Sequence, residues 1–212
     1  MRIIEPSIEI LSDVDGNKIM KNIETCGRVC YKSENLINEE SAKKFIRRII
    51  AEGHESVLEH EKLTIKFICD RGVSHEIVRH RIASYSQEST RYCNYSREKF
   101  GKELTLIRPC FWKEDEEKYR IWCDVMEKVE CSYNKLISMG AKPEECRSIL
   151  PNSLKTEIVV TMNIRELRHF LRLRTSKRAH PQMREIANML LKYVQETLPV
   201  FFEDIGIEYS EL

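Results

Sequence analysis

Hydrophobic residues recur along the chain with two different periods, and these periods predict the first elements. Around Ile3 to Leu11 the pattern predicts a strand that is broken near Pro6. A helix is expected from about Asn38, its predicted N-cap, to a stop at Gly53. Apolar residues at every second position over 63–67 then predict a half-buried strand.

The middle of the chain carries weaker periodicity. Ser74 is a candidate N-cap for a short helix that continues to Arg81. The polar segment SYSQESTRY, residues 84–92, has no sustained period. We therefore predict a loop for it.

The second half of the chain predicts five further elements. They are a short strand around Leu104 and Leu106, a long helix from about Lys113 to Met139, a strand over Thr156 to Met162, a helix over Arg165 to Arg174, and a last helix that opens at Pro181. Strands and helices do not alternate as regular βαβ units. The expected fold class is therefore α+β, a largely antiparallel sheet flanked by helices, in a single domain over 1–212.

Composition excludes several classes of protein. The chain has 212 residues, of which 42% are hydrophobic, enough for one domain with a sizeable core. No apolar stretch approaches the roughly 20 residues that cross a bilayer, and the N-terminus lacks a secretory apolar segment, so we expect a cytoplasmic protein. Eight cysteines without a C-x-x-C pair favour free thiols over disulfides or zinc, and no metal site is expected.

The distribution of charge indicates the kind of ligand. The net charge of +1, from 35 basic and 34 acidic residues, disfavours a surface built for nucleic acid. Arginines nevertheless concentrate in two segments, 71–97 and 165–178. Such local concentrations in a neutral protein indicate a compact anionic ligand.

The segment 79–92, RHRIASYSQESTRY, combines the groups that a nucleotide requires. Arginine presents a planar fork that can grip phosphate at two points. Small hydroxyl residues add donors, and Tyr85 and Tyr92 add flat apolar faces. The alternative is a solvated charged turn without a ligand.

The same segment resembles the signature of the flavin-dependent thymidylate synthases. The family pattern Arg-His-Arg, seven residues and Ser is matched by Arg79-His80-Arg81 and Ser89, and the match continues into Arg91. Three further segments resemble family segments in the right order: GHESVLEH at 53–60, ECRSILPNS at 145–153 and NIRELRHFLRLR at 163–174.

The resemblance implies two sets of site residues. The FAD-contacting positions would be Ser56, Arg79, His80, Arg81, Gln87, Asn163, Ile164, Arg165 and His169. The dUMP-holding positions would be Glu76, Ile77, Val78, Arg79, Gln87, Glu88, Ser89, Thr90, Arg91, Arg147 and Arg174, with the backbone over 88–90 around the phosphate. Two positions depart from the pattern. His169 stands where some relatives have asparagine, and Cys30 stands where some have a small hydroxyl residue, so Cys30 is left out of the site.

The resemblance also implies a reaction. dUMP would be methylated to dTMP with 5,10-methylenetetrahydrofolate as carbon donor, NADPH would reduce tightly bound FAD, and the flavin hydride would complete the methyl group. No cysteine nucleophile would be needed. The family further implies a homotetramer with sites shared between subunits.

Arg174 stands out on residue grounds as well. On a helix, Ile164, Leu167, Leu171 and Arg174 fall on one stripe, so its guanidinium lies at the end of an apolar face and needs an acceptor. One interpretation is a structural ion pair with an acid, for which Glu185 is a candidate. The family resemblance instead implies a catalytic role beside the uracil, where a positive charge favours loss of the N3 proton and activates C5.

Two other functions remain open at the level of sequence. The same arginines could bind the phosphates of a nucleic acid, which predicts strongly salt-dependent binding without flavin. Alternatively, the chain could be a flavoprotein of different purpose that retains the nucleotide site.

Overall fold

The computed structural model describes residues 1–206, which form strands and helices in mixed order. Within this range the strands are β1 (Arg2–Ile4), β2 (Ser7–Ile10), β3 (Lys62–Asp70), β4 (Ala83–Gln87), β5 (Thr105–Ile107) and β6 (Lys155–Asn163). The helices are α1 (Gly16–Val29), α2 (Ser41–Ala51), α3 (Arg71–Ile77), α4 (Glu117–Ser138), α5 (Pro143–Cys146), α6 (Ile164–Arg174), α7 (Pro181–Thr197) and α8 (Pro199–Phe202). Short 3-10 turns occupy Glu34–Leu36, Glu55–His60, Glu98–Phe100 and Arg147–Ile149.

A four-stranded antiparallel sheet, in the order β2-β3-β6-β4, forms the centre of the fold. The long strands β3 and β6 pair along their whole length, with Lys62 opposite Asn163 and Asp70 opposite Lys155. Alternate residues of both strands are buried on one face, which fixes this register because a slip by one residue would expose them all. The α+β prediction is confirmed. A separate parallel pair of β1 and β5 departs from the antiparallel expectation.

Helices α1, α2, α6, α7 and α8 contribute to the main hydrophobic core with the buried face of the sheet. Phe67 of β3 and Phe170 of α6 are fully buried there with their ring centroids 6.0 Å apart. Ala42, Phe45 and Ile49 of α2 recur at helical spacing and are buried together on one side of the helix. A smaller second core gathers under α4, around Trp122 and Tyr133.

Several predicted boundaries are wrong for identifiable reasons. Helix α2 begins at Ser41, because the Asn38 side chain accepts from the backbone N–H of Glu40 and forms a turn before the helix. Helix α3 begins at Arg71, because Asp70 is the cap, with its carboxylate accepting from Val73 N at 2.6 Å. It ends at Ile77, well before Arg81.

Three further elements differ from the sequence predictions. The polar segment predicted as a loop contains strand β4, whose backbone pairs with β6. Helix α4 begins at Glu117, after the turn that contains Lys113. The short helix α8 follows α7, which was expected to be last. Among the helices of residues 1–206, none combines the length and apolarity that crossing a membrane requires.

Candidate active site

Helix α6 presents the arginine-rich segment, and its first turn is fixed by a cap. Asn163, the last residue of β6, accepts a hydrogen bond from Glu166 N at 2.8 Å. Leu167 and Leu171 then face the core, as predicted, while Arg165 and His169 face outward. Ile164, predicted at the flavin, is fully buried at the start of this helix.

Arg174 in the last turn of α6 makes three hydrogen bonds to the segment that follows β3. Its Nη1 lies 2.7 Å from Glu76 Oε2, and its Nη2 lies 3.0 Å from the carbonyl oxygen of Glu76. Its Nε lies 3.1 Å from His80 Nε2. The prediction that this guanidinium is partly buried against an acceptor is confirmed, with 14% of the side chain exposed. Its acidic partner is Glu76, so Glu185 was the wrong candidate.

His80 lies between Arg174 and Glu166 and contacts both of them. We refer to Arg174, Glu76 and His80 as the Arg174 cluster. The ring is buried, its Nδ1 lies 2.9 Å from Glu166 Oε1, and Phe170 packs at its edge with the ring centroids 4.9 Å apart. Because an arginine Nε–H can only donate, His80 Nε2 is an acceptor and Nδ1 carries the proton. Burial lowers the pKa of His80 from its ordinary value, and the charge of Arg174 lowers it further against the opposing hydrogen bond of Glu166. The imidazole is therefore neutral.

Strand β4 holds the turn that carries His80. The Tyr85 hydroxyl donates to the carbonyl oxygen of His80 and, at 3.1 Å, to that of Ile77. Burial raises the pKa of Tyr85 to about 12, which keeps this hydroxyl a donor. Tyr85, expected to offer a flat apolar face, thus also anchors the backbone of the Arg-His-Arg segment.

Hydrogen bonds of Gln87 and Glu88 hold the end of β4 and the start of the segment that follows it. Gln87 Nε2 lies 2.9 Å from Ser74 Oγ and 3.2 Å from Thr156 Oγ1. The Glu88 carboxylate accepts from Tyr95 Oη at 2.8 Å and from Lys155 Nζ at 2.9 Å. These contacts fix the start of a loop whose sequence is rich in donors.

The backbone donors of this loop are not all available to a ligand. Glu88 N–H donates to the carbonyl oxygen of Glu157 at 2.9 Å, and Arg91 N–H is directed at Ser89 Oγ at 3.3 Å. Within residues 1–206, the N–H groups of Ser89 and Thr90 have no acceptor. The phosphate cradle inferred for 88–90 can therefore use two of its three backbone donors.

Other predicted residues lie at the rim of this loop or away from it. Arg91 is exposed and lies 3.8 Å from Glu144 of α5, which precedes Arg147 by three residues. Arg79 and Arg81 are exposed, and in the described chain neither guanidinium hydrogen-bonds to Arg174, Glu76 or His80, although the backbone N–H of Arg79 donates to the carbonyl oxygen of Glu76 at 3.2 Å. The structure thus unites Arg174 with Glu76 and His80, but leaves the other guanidiniums of the signature directed at solvent.

Two adjoining cavities contain most of the remaining predicted flavin positions. A cavity of about 700 Å³ is lined by Ser56 and Arg165 together with Cys30 and His54. A second, of about 350 Å³, is lined by Asn163, Arg165 and His169. Cys30, which the sequence analysis left out of the site, lines the same cavity as Ser56. His54, which belongs to the same GHESVLEH segment as Ser56, was not among the predicted residues and lines this cavity as well.

His80, Glu166 and His169 also place one potential metal ligand each within 4.8 Å of one another. Both ring nitrogens of His80 already have partners, Glu166 and Arg174. A metal ion would have to replace one of these contacts, so the geometry fits a hydrogen-bonded cluster better than a metal centre.

The fold and these contacts define an α+β protein in which a neutral histidine contacts an arginine–glutamate pair, and strand β4, which holds the backbone of that histidine, leads into a donor-rich loop. Comparison with known proteins gives the family. The chain matches the family described as thymidylate synthase complementing protein over residues 14–200, and it belongs to that family.

Several curated relatives are similar over most of this chain. A flavin-dependent thymidylate synthase of Pyrococcus furiosus is 43% identical over 78% of this chain and 68% of its own. One of Pyrococcus abyssi is 41% identical over 74% of this chain, and one of Geobacter sulfurreducens is 35% identical over 84%. The matches span 64% of the P. abyssi chain and 78% of the G. sulfurreducens chain.

The fold also resembles a solved structure, that of a UMP/dUMP methylase from Streptomyces cacaoi bound with 5-Br dUMP. The TM-score is 0.77, and the alignment covers 96% of both chains at 22% identity. At this identity the likeness concerns the fold.

Proposed function

We propose that this chain is a flavin-dependent thymidylate synthase that methylates dUMP to dTMP, with 5,10-methylenetetrahydrofolate as carbon donor and NADPH as reductant. The observation that carries the proposal is the contact cluster of Arg174, Glu76 and His80. His80 and Arg174 come from separate segments of the family pattern, and the strand that holds the backbone of His80 leads into the donor-rich loop at Ser89. Family membership and the names of the relatives supply the reaction.

The residues around the two cavities fit a flavin dinucleotide. The volumes of about 700 and 350 Å³ suit a cofactor of this size, and Glu55 and Arg165 line both of them. Ser56, Asn163 and His169 offer polar groups there. When bound, FAD would supply the hydride that completes the methyl group.

The second group of residues suits a nucleoside monophosphate. The N–H groups of Ser89 and Thr90, with Arg91 and Arg147 at the rim, would hold the phosphate. Gln87 lies at the start of the same loop. Glu88, which the family places at the nucleotide, has its carboxylate engaged by Lys155, so we assign its part to the backbone.

The ring would lie at the Arg174 cluster, with the backbone over 76–78 beside it. A guanidinium has five N–H groups, and Arg174 uses three of them within the protein. Two remain for an acceptor on the pyrimidine. A fixed positive charge there would stabilise the ring after loss of its N3 proton and so make C5 more nucleophilic.

The thiols agree with a reaction that needs no cysteine nucleophile. Burial raises the pKa of Cys110 to about 11 and raises the pKa of Cys69 and Cys93 above the ordinary value. A thiol with a raised pKa is a weak nucleophile at neutral pH because little thiolate is present. The free state of all eight cysteines also suits the cytoplasm, where we place the protein.

We further propose a homotetramer whose subunits share each site. Arg79 and Arg81 are exposed in their own chain, and Ile82 beside them is 68% exposed. A neighbouring subunit would bury this apolar side chain and supply a cavity for the guanidiniums. Light scattering should then give about four times 25.1 kDa.

The decisive experiment measures tritium release from [5-³H]dUMP with FAD, NADPH and methylenetetrahydrofolate present. Release that requires all three supports the proposal. If reduced flavin is oxidised by the folate equally well without dUMP, the chain is a flavoprotein of different purpose. Salt-dependent oligonucleotide binding by a flavin-free protein without release would point to the nucleic-acid function instead.

A further inference from the structure

Glu166 was not among the predicted site residues, yet it forms the innermost contact of the cluster. Its side chain is only 9% exposed, and its carboxylate lies 2.9 Å from Nδ1 of the buried His80. It occupies the third position of α6, where the positive end of the helix dipole stabilises a carboxylate. The Glu166 carboxylate is therefore placed to accept from the imidazole.

The three side chains form a directed series of hydrogen bonds. Arg174 Nε must donate, so His80 Nε2 must accept, and His80 Nδ1 must then donate to Glu166. If His80 carried its proton on Nε2, that N–H would face the Nε–H of Arg174 and no hydrogen bond could form between them. The carboxylate thus selects the one neutral tautomer that can hold the guanidinium.

We infer that Glu166 is a positioning residue that fixes the tautomer of His80 and, through it, the orientation of Arg174 toward the pyrimidine. This inference rests on the proposed function for the role of Arg174, but the tautomer itself does not depend on it. Glu76 holds Nη1 and Nη2 from one side, and His80 holds Nε from the other. Together they fix the plane of the guanidinium and leave one N–H on Nη1 and one on Nη2 without a partner among the described residues.

Two variants of Glu166 separate this role from a merely structural one. Glu166→Gln keeps an acceptor oxygen for His80 Nδ1–H and loses the charge. Glu166→Leu has a similar volume and no acceptor. Glu203→Leu removes a carboxylate from an exposed ion pair with Arg47 and serves as the control.

The first measurement is the ¹⁵N NMR spectrum of protein labelled in the imidazole rings. The chain has six histidines, and the His80→Gln variant identifies the His80 signals by their loss. We expect a protonated Nδ1 and an unprotonated Nε2 in the wild type and in Glu166→Gln, and a mixed or reversed tautomer in Glu166→Leu. A protonated Nε2 in the wild type, or an unchanged tautomer in Glu166→Leu, would overturn the inference.

The second measurement is the rate of tritium release, separated into kcat and KM for dUMP. Misorientation of Arg174 in Glu166→Leu should lower kcat about 10²-fold and change KM less. Glu166→Gln should stay within about threefold of the wild type. Equal losses in both variants would contradict the tautomer mechanism, since only one of them removes the acceptor.

The pH profile adds a readout that a packing role would not change. His80 faces Glu166, His169 and Arg174 on α6, and Glu76 lies beyond Arg174. Protonation of His80 would put Nε2–H against the arginine, so kcat should fall as pH falls through the pKa of His80. Because Glu166 raises that pKa, Glu166→Gln should move the acid limb to lower pH. If the acid limb of kcat lay at the same pH in the wild type and in Glu166→Gln, this result would count against the inference.

Failure of the proposed function would look different. A wild-type protein without tritium release, but with the expected tautomers in all three proteins, would refute the thymidylate synthase activity. The role of Glu166 in fixing His80 would then still stand on the NMR result.

Discussion

Replacing Arg174 with alanine tests the centre of the proposed mechanism. The change removes three hydrogen bonds, two to Glu76 and one to His80, together with the two N–H groups left for the pyrimidine. One preorganised donor at the place where charge develops contributes about 3 kcal/mol to lowering the barrier. Turnover by Arg174→Ala should therefore fall about 10²- to 10³-fold.

The same change should leave the fold and the flavin site nearly intact. The Glu76 side chain is 32% exposed, so its released carboxylate can be hydrated. We expect a loss of about 1 kcal/mol in the free energy of unfolding. The cavities proposed for the flavin are lined by other residues, Ser56 and Asn163 among them, and FAD should be retained.

The assay combines tritium release from C5 with the absorption spectrum of bound flavin. Arg47→Ala, which removes an exposed arginine paired with Glu203, is the matched control and should be fully active. Near-normal turnover of Arg174→Ala with flavin bound would refute the mechanism. Loss of FAD from this variant would instead place Arg174 in cofactor binding.

Three further outcomes concern stability, each measured by urea or thermal denaturation. Asn163→Ala removes the cap of α6 and should cost about 1 kcal/mol; an unchanged midpoint would mean that the cap is dispensable. Phe67→Ala should cost about 3–5 kcal/mol because it opens a cavity in the main core, whereas Phe111→Ala, at a half-exposed ring, should cost far less. The hydrogen bond from Arg168 lowers the pKa of Asp204, so the stabilisation by this pair is present above the ordinary aspartate pKa of about 3.9 and is lost as pH falls through the lower folded value. Asp204→Asn should flatten that acid dependence.

The most informative difference between sequence and structure concerns β4. Its residues, such as Ser84 and Ser86, alternate with partly buried ones, but the segment contains too few apolar residues to show a period. The strand forms because its backbone pairs with β6, which is distant in sequence. Secondary-structure propensity reflects the local preference of each residue. It could not predict β4, because this strand depends on pairing with residues far away in the sequence.

Several of the main strands and helices were determined by the sequence itself, although helix α1 was not predicted. In β3, α2 and α6 apolar residues recur with a regular period, which places them on the one side of the element that is buried. This period can be recognised from the sequence alone. The four family segments, including Arg79-His80-Arg81 and Ser89, were also readable without coordinates.

Only the tertiary structure decided which side chains meet. It paired Arg174 with Glu76, placed Glu166 behind His80, brought Cys30 to the cavity of Ser56 and turned Arg79 to solvent. A polar side chain takes whichever partner the packed elements bring within about 3 Å, and no periodicity along the chain encodes that distance.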